Sequence, residues 1–251
     1  MRCGGGSQSK HIARKWESPA AQIPRFTIEA FACMIERATA DVSFQGGLTM
    51  VVQRDPQRMT VDEWRELERT SHDIKHEYID GQAYAMSGGS LAHGRVGSNT
   101  VRALEDALAA AGSSCEVYNS DVAVRLSPRR YTYPDASVTC DERDQSAPDK
   151  IEVHAPRVIV EVLSDSTEAY DRGRKFGLYR ACPTVQEYVL AATKYQAVEV
   201  YRRTPHGWAI YQSYGPGEEI ELTSLGVRFP FATLYKNTGV PEVMEDLEGE
   251  V

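Results

Sequence analysis

Hydrophobic positions recur at helical spacing in two stretches of the first half of the chain. Thr60 and Glu63 form a capping-box pattern, which predicts that a helix begins there. Apolar residues at 91–111 repeat with a helical period. Ser90 and Gly112 are suitable caps for this longer helix. The pattern therefore predicts two helices, each with its own start signal.

Between and after these helices the pattern changes to short runs of β-favouring residues. The Asp80-Gly81 pair lies between two such runs at 75–86 and predicts a β-hairpin. The run at 158–163 is apolar except for Glu161, as expected of a central strand covered on both faces. Further strands are predicted at 115–119, 122–126, 136–140, 185–191 and 197–203, followed by a hairpin around Trp208 and Tyr211 and a closing segment at 226–235.

A third helix is predicted directly after the strand that contains Glu161. A second capping sequence opens it at Asp165, and the helix should end near Ala181. Gly173 and Gly177 lie one turn apart and would let this helix approach a sheet closely. The order of helix, hairpin, helix, strands, helix and strands predicts one α/β domain, a mixed β-sheet flanked by helices.

The chain divides by composition into three parts. Residues 1–58 open with Gly and Ser, carry scattered Arg and Pro, and are interpreted as a flexible N-terminal extension. An alternative is that translation starts at Met50 or Met59 and the earlier residues are a gene-model artefact. Residues 59–240 are predicted to form the folded domain, and 241–251 a solvated acidic tail.

Composition restricts the class of protein. Of the 251 residues, 41% are hydrophobic and 25% charged, which is ordinary for a soluble globular protein. No apolar run reaches the ~20 residues of a membrane-spanning helix, and the N-terminus does not resemble a secretory signal. The five cysteines are odd in number, widely spaced and without a CxxC pair, which indicates reduced thiols. We therefore expect a cytoplasmic protein without a membrane partner.

The net charge limits how the chain could meet nucleic acid. The formal charge is −8, which counts against a protein that coats DNA, because phosphate neutralisation supplies most non-specific affinity. An enzyme that meets DNA through a local basic patch and a metal ion remains compatible with this charge.

Two acids stand out as candidate metal ligands. Asp135 lies at the head of one predicted strand and Glu161 inside another. Mg²⁺ is commonly held by one or two carboxylates together with waters and substrate phosphate. On spacing alone, surface or salt-bridged acids are somewhat more common, but an acid flanked by Val-Ile-Val and Val-Leu needs a partner or a metal. Glu161 therefore favours the metal interpretation.

Three further residues have both a functional and a structural interpretation. Lys175 could stabilise charge at a phosphate, but it also lies four residues after Asp171, as in a simple helical ion pair. Glu77 could be a third acid of the site or an exposed strand residue. His93, near the start of the long helix, is more commonly a capping or surface histidine than a catalyst.

Together these residues resemble the Uma-two family, a bacterial group of restriction-endonuclease-like proteins in the PD-(D/E)xK nuclease superfamily. The resemblance runs from about Met59 to Gly239. It is carried by residues 77–81, His93, 133–135, 160–164, 166–167, Asp171 and Lys175.

The resemblance implies a restriction-endonuclease-like core and gives each site residue a role. Asp135 and Glu161 would bind Mg²⁺ or Mn²⁺, with the backbone carbonyl of Val162 as a further ligand. Glu77 matches an acid from the first part of the core. The superfamily pattern has a lysine two residues after the second acid, but position 163 is Leu. In this family the lysine is found on the following helix, and Lys175 is the matching residue.

The resulting expectation is a Mg²⁺-dependent endonuclease that hydrolyses DNA phosphodiester bonds, with Asp135, Glu161, Lys175 and Glu77 in the catalytic site. Two alternatives stay open. The chain could be a non-catalytic DNA-binding or regulatory module that retains the nuclease fold, or an α/β protein whose acids are merely structural. If it cuts both strands of a duplex, a homodimer is the simplest assembly.

Overall fold

The computed structural model describes residues 58–86, 88–145 and 151–243, all of which lie in the unit formed by residues 54–251. Except for Arg58, the predicted N-terminal extension lies outside the described residues. The predicted acidic tail lies outside them from residue 244 onward. The domain bounds of 59–240 therefore stay a prediction.

The first helix and the hairpin after it form where the sequence predicts them. At the start of α1 (Val61–Thr70), the Thr60 side chain accepts a hydrogen bond from the Glu63 N–H, and the Glu63 carboxylate accepts one from the Thr60 N–H. In the hairpin, Asp80 and Gly81 both have positive φ, 51° and 101°, as a tight turn between antiparallel strands requires. The predicted capping box and hairpin are both confirmed.

The long helix also has the predicted caps. The side chain of Ser90 accepts a hydrogen bond from the backbone N–H at the third residue of α2 (Leu91–Ala110). Gly112 follows the helix with φ +65°, and the next N–H, that of Ser113, bonds to the carbonyl of Leu108. This Schellman-type ending needs a left-handed residue, which Gly supplies at low cost.

Thirteen strands occur in the described residues, including the two of the first hairpin. They are β1 (His76–Ile79), β2 (Gln82–Ala85), β3 (Glu116–Asn119), β4 (Ala123–Ser127), β5 (Arg130–Thr132), β6 (Ala136–Thr139), β7 (Glu152–Val153), β8 (Pro156–Val162), β9 (Glu187–Ala191), β10 (Val198–Thr204), β11 (Gly207–Tyr214), β12 (Glu219–Leu222) and β13 (Val227–Pro230). Strands β5, β7 and β12 were not predicted from the sequence; β7 has only two residues and β5 only three.

The strands divide among three sheets rather than forming the single sheet that we expected. The orders are β2-β1-β5-β4-β7, β11-β10-β9-β8-β6-β3 and β12-β13. The first two sheets are mixed, because β4 pairs with β7 and β8 with β9 in parallel. The predicted class, α/β with mixed sheets flanked by helices, is confirmed. Which strands share a sheet depends on contacts between distant segments, which periodicity does not encode.

Strand β8 lies inside the six-stranded sheet, and its two faces meet different layers. Val158, Val160 and Val162 pack in one hydrophobic cluster with α2 and β13. Ile159 belongs to the opposite cluster, which includes residues of the helix that follows β8. Because side chains alternate along a strand, Glu161 points to this second side. The fold thus directs the only acid of β8 toward the following helix.

The segment after β8 is helical but not one regular α-helix. It consists of α3 (Glu168–Tyr170), a π-helical turn (Asp171–Lys175) and α4 (Phe176–Ala181). The predicted close approach at Gly173 and Gly177 is wrong, since a Cβ at either position would meet nothing within 4 Å. The last helix of the described residues is α5 (Ala232–Tyr235), which packs in the same hydrophobic cluster as α2.

A disulfide contradicts the expectation of reduced thiols. Cys115 and Cys140 are bonded, with Cα atoms 4.1 Å apart. Cys115 directly precedes β3 and Cys140 directly follows β6, at the end of the strand pair where Glu116 lies opposite Thr139. Cys182 is buried and free. The sequence showed spacing but not strand register, and register is what brings these two cysteines together.

No helix within the described residues is both long and apolar enough to span a bilayer.

Candidate active site

The pairing of β6 with β8 brings the two predicted acids to adjacent positions. Ala136 lies opposite Val160, so the antiparallel register sets Asp135 opposite Glu161. Oδ2 of Asp135 accepts a hydrogen bond of 2.7 Å from the Val162 N–H. Asp135 is thereby fixed against the end of β8. It lies next to the backbone of Val162, the further metal ligand that the family resemblance implies.

Lys175 lies among three carboxylates. Its Nζ is 2.9 Å from Glu161 Oε1, 3.0 Å from Glu77 Oε1 and 3.9 Å from Asp171 Oδ1. The side chains of Lys175, Glu77 and Glu161 are only 7%, 6% and 4% exposed. The simple helical pair with Asp171 therefore exists, but it is the longest of three contacts made by an almost fully buried ammonium.

The protonation of this cluster follows from burial and from an excess of acids. Burial alone would lower the pKa of Lys175, but Glu161, Glu77 and Asp171 outweigh it and raise that pKa. Burial raises the pKa of Glu161 to about 8; Lys175 opposes this shift, whereas Asp135, Asp171 and Glu77 add to it. Lys175 is thus charged, and Glu161 is the acid on which burial and the surplus of carboxylates favour the protonated form.

Two buried tyrosines hold Glu161 and Asp171 in place by hydrogen bonds. The Tyr179 hydroxyl donates a 2.6 Å hydrogen bond to Glu161 Oε1. The Tyr188 hydroxyl donates to the backbone carbonyl of Asp171 at 3.1 Å. Burial also raises the pKa of the Asp171 carboxyl. Tyr179 comes from α4 and Tyr188 from β9, so the helix and the sheet hold the cluster from two sides.

Glu77 is anchored on the other sheet. It lies on β1, and its Oε1 accepts both the Lys175 ammonium and the Tyr133 N–H at 3.2 Å. The alternative of an exposed strand residue is wrong for Glu77, which is buried. The ammonium of Lys175 therefore connects an acid of the five-stranded sheet with an acid of the six-stranded sheet.

His93 reaches the same site from the first turn of α2. Its Nε2 lies 3.5 Å from Asp135 Oδ2. The pKa of His93 is raised, first by hydrogen bonding to Asp135 and also by a bond to the backbone of Val162. The capping interpretation holds for its backbone N–H, which bonds to Ser90, while its ring is directed at the site.

A cavity of about 720 Å³ opens over these residues. Asp135, Glu161, Val162 and Lys175 line it together with segments of α2 and of the first hairpin. Cavities of ~300–1,000 Å³ are typical of small-molecule and substrate sites. The clustered acids and lysine thus face a space large enough for a ligand.

A comparison with known families shows which family the chain belongs to. The Uma2 model, described as "Putative restriction endonuclease", matches residues 61–232. The chain belongs to the Uma2 family. The resemblance inferred from the site motifs is thereby confirmed.

Relatives and a solved structure agree with this membership. The chain is 38% identical over 175 residues to the uncharacterized protein slr1290 of Synechocystis sp., covering 69% of this chain and 88% of that protein. It is 29% identical over 180 residues to sll1609 of the same organism, covering 71% and 100%. A crystal structure from Anabaena variabilis, described as a putative nuclease, shares the fold at a TM-score of 0.57 and 17% identity, covering 70% of this chain and 97% of that one.

The residues present are compatible with a divalent cation, although not with a dense ligand cage. Within the described ranges, no group of three or more His, Cys, Asp or Glu side chains is arranged to hold a metal ion. Asp135 and Glu161 each use one oxygen in the contacts above, and no described residue hydrogen-bonds their other oxygens. Two free carboxylate oxygens and a nearby carbonyl suit Mg²⁺, which retains several waters.

The Uma2 chain therefore brings together all of the residues named from the sequence: Asp135, Glu161, Val162, Lys175 and Glu77. The sequence reasoning did not assign a place in the site to Asp171, Tyr179 or the ring of His93. Asp171 had a usable signal, since it precedes Lys175 by one helical turn. Tyr179 had none, because it meets Glu161 only after α4 folds back on β8.

Proposed function

We propose that this protein is an endonuclease that hydrolyses DNA phosphodiester bonds and depends on Mg²⁺ or Mn²⁺. The observation that carries the proposal is the buried Lys175 ammonium, which lies between Glu161 and Glu77 beside the strand-end acid Asp135. Membership in a family described as "Putative restriction endonuclease" and a nuclease-like fold support the same reaction.

Asp135 and Glu161 hold the cation in this proposal, with the Val162 carbonyl as a further ligand. When bound, such a cation polarises the phosphate and lowers the pKa of a coordinated water. The free oxygens of the two carboxylates supply the hard ligands, while Val162 N–H and Tyr179 fix their other oxygens. The ligands are therefore held in place before a substrate arrives, which reduces the reorganisation that catalysis requires.

Lys175 supplies positive charge in place of the strand lysine that position 163 lacks. Its ammonium is held charged by Glu161, Glu77 and Asp171. In a site that is nearly closed to water, a fixed ammonium stabilises negative charge on a phosphate more strongly than it would in water. Glu77 acts as a positioning residue, because it orients Lys175 from the opposite sheet.

Cleavage of supercoiled plasmid DNA with Mg²⁺ or Mn²⁺ tests the proposal. We expect nicked or linear products from the wild type, no products with EDTA, and loss of cleavage in Asp135→Ala and Glu161→Ala. Glu105→Ala serves as the matched control, since it removes an exposed acid of α2 outside the site.

Isothermal titration of the same proteins with Mg²⁺ and Mn²⁺ separates the alternatives. DNA binding by the wild type without metal-dependent cutting would favour a non-catalytic module that retains the fold. No metal binding and no DNA binding would leave the acid cluster with a structural role only.

A further inference from the structure

The shape of the cavity above the acids restricts what can reach them. Glu161, Glu77 and Lys175 lie at its floor and are nearly inaccessible, whereas Asp135 is 19% exposed. A phosphate that approaches the free oxygens of Asp135 and Glu161 must therefore enter the cavity rather than rest on its rim. The entry requirement is stricter for a stiff, base-paired duplex than for a single strand.

The walls of the cavity are built from glycines on one side. Gly94 and Gly97 of α2 line it, and a Cβ at either position would meet nothing within 4 Å. Each Gly in a helix interior costs about 1 kcal/mol relative to Ala. Two glycines at cavity-facing positions of one helix keep open a space that ordinary side chains would fill.

Tyrosines form other parts of the wall. Tyr84, Tyr133 and Tyr170 all line the cavity. The Arg174 guanidinium lies 5.3 Å from the centre of the Tyr84 ring, in a cation–π contact. Tyr170 is half-buried, and within the described residues its ring stacks on no other ring and its hydroxyl makes no hydrogen bond. Aromatic faces of this kind bind bases without regard to sequence.

The charge of the residues that line the cavity also favours a single nucleotide over a duplex. Five acids line the cavity, Asp73, Glu77, Asp135, Glu161 and Asp171, against Lys75, Lys175 and His93. A duplex carries one phosphate charge per ~1.7 Å of its axis and would be repelled by such a lining. A single nucleotide brings one phosphate to a bound cation and presents a base to the tyrosines.

We propose that the cavity takes an unpaired nucleotide, so that the preferred substrate is single-stranded DNA or an unpaired segment within a duplex. This inference rests on the proposed nuclease function and names the substrate class of that site. Tyr170 and Tyr84 contact the base, α2 leaves room for it beside Gly97, and the phosphate lies toward Asp135 and Glu161.

Three end-labelled oligonucleotides of the same sequence test it with Mn²⁺ or Mg²⁺: a single strand, its blunt duplex, and a duplex with a central unpaired stretch. We expect the single strand to be cut at least about ten-fold faster than the blunt duplex, and the third substrate to be cut within its unpaired stretch. Cleavage of the blunt duplex as fast as the single strand would overturn the inference and leave the nuclease function intact.

Substitutions that fill the cavity provide a second test of the proposed substrate class. Gly97→Phe should slow cleavage of the single strand about ten-fold or more. The substitution should not disturb the backbone of α2, because Phe has a higher helix propensity than Gly. Ala109→Phe introduces the same side chain at an exposed position of α2 outside the cavity and should leave the rate unchanged. Tyr170→Ala should slow cleavage, whereas Tyr170→Phe, which retains the ring, should not.

Binding measured by fluorescence anisotropy with Ca²⁺ keeps the inference testable if no DNA is cut. A preference of about ten-fold or more for the single strand, lost in Gly97→Phe but not in Ala109→Phe, would support the cavity as a nucleotide site although the nuclease proposal had failed. Equal affinity for the single strand and the blunt duplex would overturn the inference.

Discussion

The ammonium of Lys175 lies 2.9 Å from Oε1 of Glu161, and both side chains are almost completely removed from solvent. Burying two charges costs several kcal/mol per ion, which their mutual attraction only partly offsets. Glu77 and Asp171 add two more acids around the same ammonium. Such a cluster is a poor way to gain stability, and it is reasonable only where the charges serve another purpose.

Removing the ammonium should destabilise the protein strongly. Lys175→Met retains the length of the side chain but leaves Glu161, Glu77 and Asp171 without their shared counter-charge. Breaking a buried ion pair from one side typically costs ~3–5 kcal/mol, and we expect a loss of that order in urea denaturation at neutral pH. The double variant Lys175→Met/Glu161→Gln should recover part of it, because one stranded charge is removed as well.

A surface lysine provides the control for this prediction. Lys194 is 52% exposed and contacts Asp165 at 3.3 Å and Glu168 at 3.4 Å. Exposed pairs contribute ~0–1 kcal/mol, so Lys194→Met should change the free energy of unfolding little. A loss in Lys175→Met no greater than that in Lys194→Met would show that the buried charges are compensated in some other way.

Two buried tyrosines allow the charge on Glu161 to be tested separately. Tyr179 donates to the Glu161 carboxylate at 2.6 Å, and Tyr188 donates to a backbone carbonyl at 3.1 Å. Hydrogen bonds to charged groups contribute ~1.5–3 kcal/mol and neutral ones ~0.5–1.5 kcal/mol. Chemical denaturation at about pH 9, where Glu161 with its pKa of about 8 is ionised, should therefore show a larger loss of stability for Tyr179→Phe than for Tyr188→Phe. The reverse order at that pH would contradict a charged acceptor at Glu161.

Glu161 could be predicted from the sequence because it violates a local expectation. Glu161 interrupts an apolar strand, and a buried carboxylate requires a partner or a metal. Asp135 and Lys175 carried weaker signals, and only the family motif linked them to Glu161. Residues that break the local pattern at a buried position are the ones that sequence reasoning can find.

The features that the sequence did not predict depend on tertiary contacts, which leave no local pattern in the sequence. The π-helical turn at Asp171–Lys175 occurs inside a stretch whose pattern predicts an ordinary helix. Tyr179 reaches Glu161 from 18 residues away, and Cys115 meets Cys140 through strand register. Each of these depends on how two elements pack, which neither periodicity nor composition reports.

Acid should weaken the contact of the helical segment with β10. Arg172 binds both oxygens of Glu199, at 2.7 and 2.8 Å, and this hydrogen bonding lowers the pKa of Glu199. The carboxyl has a pKa of ~4.3 when unfolded, so the unfolded state binds the proton more readily. The stability from this pair is fully present above ~4.3 and is lost as the pH falls through the lower folded pKa.

Arg172→Gln should therefore lower the denaturation midpoint at pH 7, and the difference from the wild type should shrink below pH ~4. Arg228→Gln is the matched control, because Arg228 is 64% exposed in its pair with Glu221. That variant should show little difference at either pH in moderate salt. A difference for Arg172→Gln that stays constant down to pH 3 would contradict the assigned cause.

The Cys115–Cys140 disulfide should stabilise the fold by limiting the unfolded chain. The two residues are 25 positions apart, and closing a loop of this length contributes about 3.5 kcal/mol in the chain-entropy model. We expect reductant to lower the free energy of unfolding by that order, measured by urea denaturation with and without it. The variant Cys115→Ser/Cys140→Ser should not respond to reductant, because it lacks the bonded pair and retains the other three cysteines unchanged. Thiol titration of the denatured, unreduced protein should find at most three of the five cysteines reactive, because two are bonded. Five reactive thiols would show that the pair is reduced in the isolated protein, as the cysteine spacing by itself suggests.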